Sequence, residues 1–273
     1  RMTIITTTFI PCGAKLPVIA LIASALFGGA WWVAPSAYFI GIAAIISSGI
    51  LLKKTKLFSG DVSPFVMELP SYHMPTFKSV ARATWDRSWS YVKKAGTIIL
   101  LASCAVWFLS NFGFYGGKFG MVQQMDNSIL AYIGSFINVI FRPLGFGSWQ
   151  AAVATLLGLI AKEEIVGVFG VLYAHLGDGF TALSGYSFLI FNLLCAPCVA
   201  AMGAIRREMN SFRWTVFAIS YQCLFAYCTS LVLYQLALFI TTGSITAGTI
   251  CAFIVIAVFV FMLVRKPSVK KIK

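Results

Sequence analysis

The sequence predicts an all-α fold, a polytopic transmembrane helical bundle that carries two related broken-helix segments. Three observations predict it. Of 273 residues, 59% are hydrophobic and 11% charged, with a mean hydropathy of +0.88, a balance far from that of a water-soluble domain. Six stretches (16–52, 95–117, 127–141, 143–161, 179–205 and 214–264) contain no Asp, Glu, Lys, Arg or His, and a helix needs only about 20 apolar residues to cross a bilayer. Finally, Phe9-Ile10-Pro11-Cys12-Gly13-Ala14 and Cys195-Ala196-Pro197-Cys198-Val199-Ala200 share the pattern Pro-Cys-x-Ala. In each copy a proline, which lacks a backbone donor, interrupts an apolar segment beside a thiol.

Region 1–52 holds the first broken segment and a run too long for one crossing. At about 1.5 Å per residue it would overshoot a hydrocarbon layer of roughly 30 Å, so a hairpin is expected, with its turn at Ala34, Pro35 and Ser36. The chain starts at Arg1, and 2–10 read as the end of an apolar segment, so a fragment of a longer protein is expected. Region 53–94 is a basic loop. Within it Trp85, Trp89 and Val92 recur at helical spacing opposite Arg82, Asp86 and Lys93, the pattern of an interfacial amphipathic helix.

Region 95–213 is the central membrane part and contains the second broken segment. Its runs fit either four crossings or two crossings and a re-entrant segment over 179–205 broken near Pro197, and both counts stay open. Lys162-Glu163-Glu164 interrupts the otherwise apolar stretch 149–173. At about 2.5–3.5 kcal/mol per charge at mid-membrane, three charges would cost about 8–10 kcal/mol facing lipid. They either mark the water interface or line a polar path. Adjacent helical residues point about 100° apart, so at most one of Glu163 and Glu164 faces a pore. Region 214–264 predicts a second hairpin turning at Thr241–Ser244, and 265–273 is a basic tail.

The net charge of +13 does not signal nucleic acid, because Lys and Arg cluster in the gaps between apolar runs. By the positive-inside rule, 53–94, 206–213 and the tail face the cytoplasm. No phosphate-binding loop of the form G-x-x-x-x-G-K-[ST] occurs, so no nucleotide site and no enzymatic role are expected in this chain. The seven cysteines lie in or beside apolar runs and read as thiols. For Cys104, Cys223, Cys228 and Cys251 the reading is a small buried hydrophobe. Paired broken helices point instead to a transporter's midplane binding site, which singles out Cys12, Cys195 and Cys198.

Four segments in order resemble the FeoB ferrous iron transporters over about residues 3–265. They are Thr6–Val18 around Pro11-Cys12-Gly13-Ala14; Met67-Glu68-Leu69-Pro70-x-Tyr72-x-x-Pro75; Ala161-Lys162-Glu163-Glu164 with Gly167; and Asn192–Cys198 leading to Arg206-Arg207-Glu208-Met209. The two Pro-Cys segments match that family's paired Gate motifs. The resemblance implies Fe²⁺ as the transported ion, a multi-pass location in the bacterial cytoplasmic membrane, and GTP acting only through an N-terminal G-protein domain not seen in this chain. It also implies small cytoplasmic Feo accessory proteins and a homo-oligomer as partners. Fe²⁺ sits low in the Irving–Williams order, so its path should combine thiolate with carboxylate, carbonyl or water ligands. Cys12 and Cys198 are the expected metal contacts, Cys195 an accessory, Glu163 and Glu164 candidate carboxylates, and Met67 and Glu68 a candidate cytoplasmic exit or coupling point. Two other classes compete: a nucleoside-carrier-like transporter of an organic solute, and a non-transporting membrane scaffold.

Overall fold

The computed structural model describes residues 1–55, 74–115, 118–122, 127–172, 180–243 and 245–265. They form eleven α-helices and one short hairpin, and the outer helices turn large apolar side chains outward. Helix α3 (Val33–Lys54) shows why. Its Ala37, Gly41, Ala44 and Ser48 face inward, while Phe39, Ile42, Ile46 and Ile50 face outward. Lipid is as apolar as the protein interior, so small residues that permit close approach take the packed side and large apolar ones face the acyl chains. Helix α11 (Ala247–Val264) likewise exposes Phe253, Ile254, Val258 and Phe261. Among the described residues four helical segments are long and apolar enough to cross a membrane, and five if one bent pair is counted as a span. This is a multi-pass membrane protein.

The chain opens with α1 (Met2–Thr7), an extended stretch through Pro11, a 3-10 turn (Gly13–Lys15) and α2 (Leu16–Phe27). The turn into α3 comes at Gly28 and Gly29, both at positive φ (58° and 77°), rather than at Ala34-Pro35-Ser36. Pro35 instead lies in the first turn of α3, where a missing N–H costs nothing. At 12 residues, or about 18 Å, α2 is too short to span.

The amphipathic segment and the apolar run after it form one 35-residue helix, α4 (Phe77–Asn111), on which the Trp85 and Trp89 rings stack 6.2 Å apart. It leads to an antiparallel hairpin of β1 (Phe112–Tyr115) and β2 (Lys118–Met121), in register Phe112↔Met121, a small exception to the all-helical expectation. Helices α5 (Ile129–Phe141) and α6 (Trp149–Ile160) follow, with axes bent by 97° across a Pro143-containing 3-10 turn (Arg142–Leu144). The sharp bend of the central region therefore sits here. Helix α7 (Glu164–Leu172) begins just past Lys162.

At the centre lies α8 (Ala182–Leu194). From Phe188 to Leu194 every residue is buried, the signature of a helix surrounded by others. Phe146, Phe169 and Phe180 pack edge-on around Phe188 at 5.2–5.7 Å. Polar contacts tie α8 to its neighbours: Ser187 Oγ donates to the Leu144 carbonyl at 2.7 Å, Ser230 Oγ donates to the Ser187 carbonyl at 2.9 Å, and the Tyr186 hydroxyl reaches Ser36 Oγ at 2.8 Å. Past the break at 195–198 the chain resumes as α9 (Val199–Met209), and the two halves read as one 28-residue segment. The last pair is α10 (Phe212–Thr242) and α11, joined through Gly243 at φ 64°.

Candidate functional site

Each proline creates the same local problem. In an uninterrupted helix the carbonyl of Leu193 would accept from the N–H of residue 197, but Pro197 has none. Helix α8 accordingly stops at Leu194. Pro11 removes the donor that would serve Thr7, so α1 stops there and Ile10 N–H turns back to the Thr7 carbonyl at 3.2 Å. Buried carbonyls left over by such breaks must find donors elsewhere, because none come from lipid.

The donors are two lysines. Lys15 Nζ donates to the Leu193 carbonyl at 2.7 Å and to the Thr8 carbonyl at 3.2 Å. Lys162 Nζ donates to the Asn192 carbonyl at 3.2 Å. Both side chains are buried, 5% and 2% exposed, where an ammonium persists only if paired or hydrogen-bonded. The negative end of α8 supplies part of that compensation. One ammonium thus joins the two broken segments, through a bond between residues 178 apart in sequence. From α10, Gln222 Nε2 serves the first break as well, donating to the Ile5 carbonyl at 3.0 Å and Thr8 Oγ1 at 2.7 Å.

The first break is seated by a close approach. A Cβ at Gly41 of α3 would come 3.1 Å from the Phe9 carbonyl oxygen and 3.3 Å from Pro11 Cδ, so only glycine lets the kinked strand lie against α3 undisturbed. Two amide oxygens near the breaks, Asn192 Oδ1 and Gln222 Oε1, are buried without a hydrogen-bond partner.

The cysteines expected from the sequence fall around these lysines. Cys12, Cys195 and Cys198 all interact electrostatically with both Lys15 and Lys162. Cys12 is exposed, Cys198 half-buried and Cys195 buried. Cys195 Sγ lies 3.7 Å from Cys223 Sγ on α10. The carboxylates are placed differently: Glu163 is exposed, and Glu164 is half-buried in the first turn of α7. Met67 and Glu68 lie outside the described residues. Among the described residues no three of His, Cys, Asp and Glu gather closely enough to hold a metal ion.

Four residues of this centre, Lys15, Lys162, Gln222 and Cys223, are not among the site residues that the sequence predicts. The signal for Lys15 was present, as a solitary charge between Ala14 and the apolar run that begins at Leu16. For Lys162 it was obscured by the two glutamates beside it.

Two family models match the chain: "Ferrous iron transport protein B C terminus" over residues 34–87 and "Nucleoside recognition" over residues 92–212. Among curated proteins it is similar to the Fe(2+) transporter FeoB of Staphylococcus aureus (strain COL), 37% identical over 85% of this chain and 36% of the relative. The same-named protein of Methanocaldococcus jannaschii is 34% identical over 85% and 36%, and that of Salmonella typhi 32% identical over 97% and 42%. The chain therefore spans about two fifths or less of the length of these relatives. No solved structure matches it.

Proposed function

Because the chain belongs to the FeoB family of ferrous iron transporters, we propose that it is the membrane portion of an Fe²⁺ importer and that the ion passes where the two broken segments meet. The observation that carries this reading is the single Lys15 ammonium bonded to Thr8 in one segment and Leu193 in the other. Broken helices tolerated at membrane depth line a cavity or a protein-buried site, and paired ones are where transporters bind their cargo. In this reading Cys12 and Cys198 contact Fe²⁺ transiently, with Cys195 as an accessory. The unpaired oxygens of Asn192 and Gln222 offer harder ligands on either side. Exposed Glu163 and half-buried Glu164 attract the cation at the margin rather than at the crossing. Contacts that are few and mixed in hardness favour release, which conduction requires.

The proposal extends to the protein's surroundings. The bilayer is the bacterial cytoplasmic membrane, with the basic ends of α3, α9 and α11 inside, and Met67 and Glu68 sit at the cytoplasmic exit. GTP binding in an N-terminal domain of the longer protein gates the path, small Feo proteins act as accessories, and the transporter assembles as a homo-oligomer. The test is Fe²⁺ uptake by the complete transporter at limiting iron. Cys12→Ser with Cys198→Ser should abolish most uptake, and wild-type rates in the double variant would remove the thiol path.

One other reading has an observation behind it, since the match to the nucleoside-recognition model covers 92–212. An organic-solute carrier would bind nucleosides and show no thiol-dependent metal binding in calorimetry.

A further inference from the structure

We propose that a cleft between α3, α10 and α11 is a site for one anionic phospholipid, with its acyl chain in the cleft and its phosphate at Lys54 and Arg265. The cleft measures about 370 Å³. Buried Ala44 and Phe225 form its floor, and exposed Ala43 and Val260 stand at its rim, so it opens toward the bilayer. The inference is independent of which solute the protein carries.

The walls suit hydrocarbon. Two hydroxyls line the cleft, and both donate within their own helix: Ser47 Oγ to the Ala43 carbonyl at 2.6 Å and Thr229 Oγ1 to the Phe225 carbonyl at 2.8 Å. Cys228 adds only a weak donor. A polar solute would give up its hydrogen bonds to water and find no strong donor here, whereas an acyl chain has none to lose. Length also selects a lipid tail. The lining residues fall within 40–47 of α3, 225–233 of α10 and 255–260 of α11, about 8–12 Å of helix, which fits inside one leaflet of a hydrocarbon layer roughly 30 Å thick. A spanning helix, from elsewhere in a longer chain or from a second copy, would need a groove through both leaflets.

The basic end of the cleft selects the headgroup. Ile40, Ala44, Ser47, Leu51 and Lys54 recur at spacings of four and three, so Lys54 continues the stripe of α3 that walls the cleft. On α11, Leu263 follows Phe259 by four in the same way. Lys54 Nζ donates to the Leu263 carbonyl, at the negative end of α11, so the two stripes meet there, and exposed Arg265 lies two residues on. Ser47 is about 11 Å along the helix from Lys54, and Val260 about 8 Å from Arg265. The interfacial layer on each side of a bilayer is about 5–8 Å thick, so a phosphate held by these two cations drops its chain into the cleft. None of the three helices carries an Asp or Glu to offset the charge. Each basic residue at such a surface favours an anionic lipid about fivefold.

The test uses the complete transporter in detergent, with phosphatidylglycerol and phosphatidylcholine of identical acyl chains as probes and the retained lipid counted by native mass spectrometry. Wild type should hold one phosphatidylglycerol about twentyfold more tightly than phosphatidylcholine. Lys54→Gln and Arg265→Gln should each lower that preference about fivefold, while Lys53→Gln, about 100° round the same helix and off the stripe, keeps it. Ala43→Phe at the rim should weaken both lipids together. Equal retention of the two lipids by wild type overturns the proposal. So does a loss in Lys53→Gln as large as in Lys54→Gln, which would mark diffuse surface charge instead of a site. Should the variants fail to fold, the wild-type ratio still decides. A benzophenone side chain placed at position 43 then identifies the occupant: a cross-link with the mass of a phospholipid supports the site, and one to polypeptide overturns it.

Discussion

The two broken segments share Pro-Cys-x-Ala, yet the molecule treats them differently. The first sits toward the edge of the bundle, with Cys12 exposed and α1 only six residues long. The second ends the most enclosed helix, with Cys195 buried and α8 packed on all sides. Both leave carbonyls without helical donors. At the first break Ile10 N–H and Gln222 share the repair with Lys15, whereas at the second the described donors are the two lysine ammonium groups. Equal sequence defects therefore carry unequal energetic weight, and the central one depends on charge brought from elsewhere.

The largest effect should come from Lys15→Met, which removes one donor from the buried Leu193 carbonyl and the partly buried Thr8 carbonyl. At about 1–3 kcal/mol for each group left unsatisfied, the loss is about 2–6 kcal/mol, read as a lower thermal unfolding temperature in detergent. Lys162→Met strands only the Asn192 carbonyl and should cost less, so equal losses in the two variants would break the comparison.

A smaller effect sharpens it further. Pro197→Ala restores the N–H that serves the Leu193 carbonyl, so it should recover about 1 kcal/mol in the Lys15→Met background. Pro11→Ala restores a donor for Thr7 rather than Thr8 and should recover nothing. Rescue by both prolines, or by neither, in a double-mutant cycle would show that Lys15 acts by some route other than the freed carbonyls. The smallest effect is Gly41→Ala. Its Cβ would press on the Phe9 carbonyl and Pro11, displacing the peripheral break at a cost of about 1 kcal/mol, and unchanged unfolding would mean that segment yields freely.

Much of the architecture was legible in the sequence. Uncharged runs located the membrane helices, the prolines located both breaks, and the last turn fell within Thr241–Ser244 at Gly243. The first turn was misplaced because Pro35 reads as a breaker, although in a first helical turn it breaks nothing. The continuity of α4 was hidden by a change of solvent preference along one helix, since charged and apolar halves look like separate elements in sequence. The site was only half legible. Thiols beside prolines could be found by pattern, but the donors to Leu193 and Asn192 come from 178 and 30 residues away, and no local rule reports a hydrogen bond across that separation. Glu163 and Glu164 stand out in the sequence because a cation path calls for carboxylates. The neighbouring cation, Lys162, is the member of that triplet that lies inside.

The bond from Lys15 to Leu193 has a mechanical side. The lysine is anchored three residues past Cys12, so its ammonium travels with the first segment, and a hydrogen bond at 2.7 Å is lost once its partners drift about an ångström apart. The two kinked segments thus meet through one ammonium. A motion that separates the two kinked segments by that much must first break this bond, whereas one that carries them together keeps it.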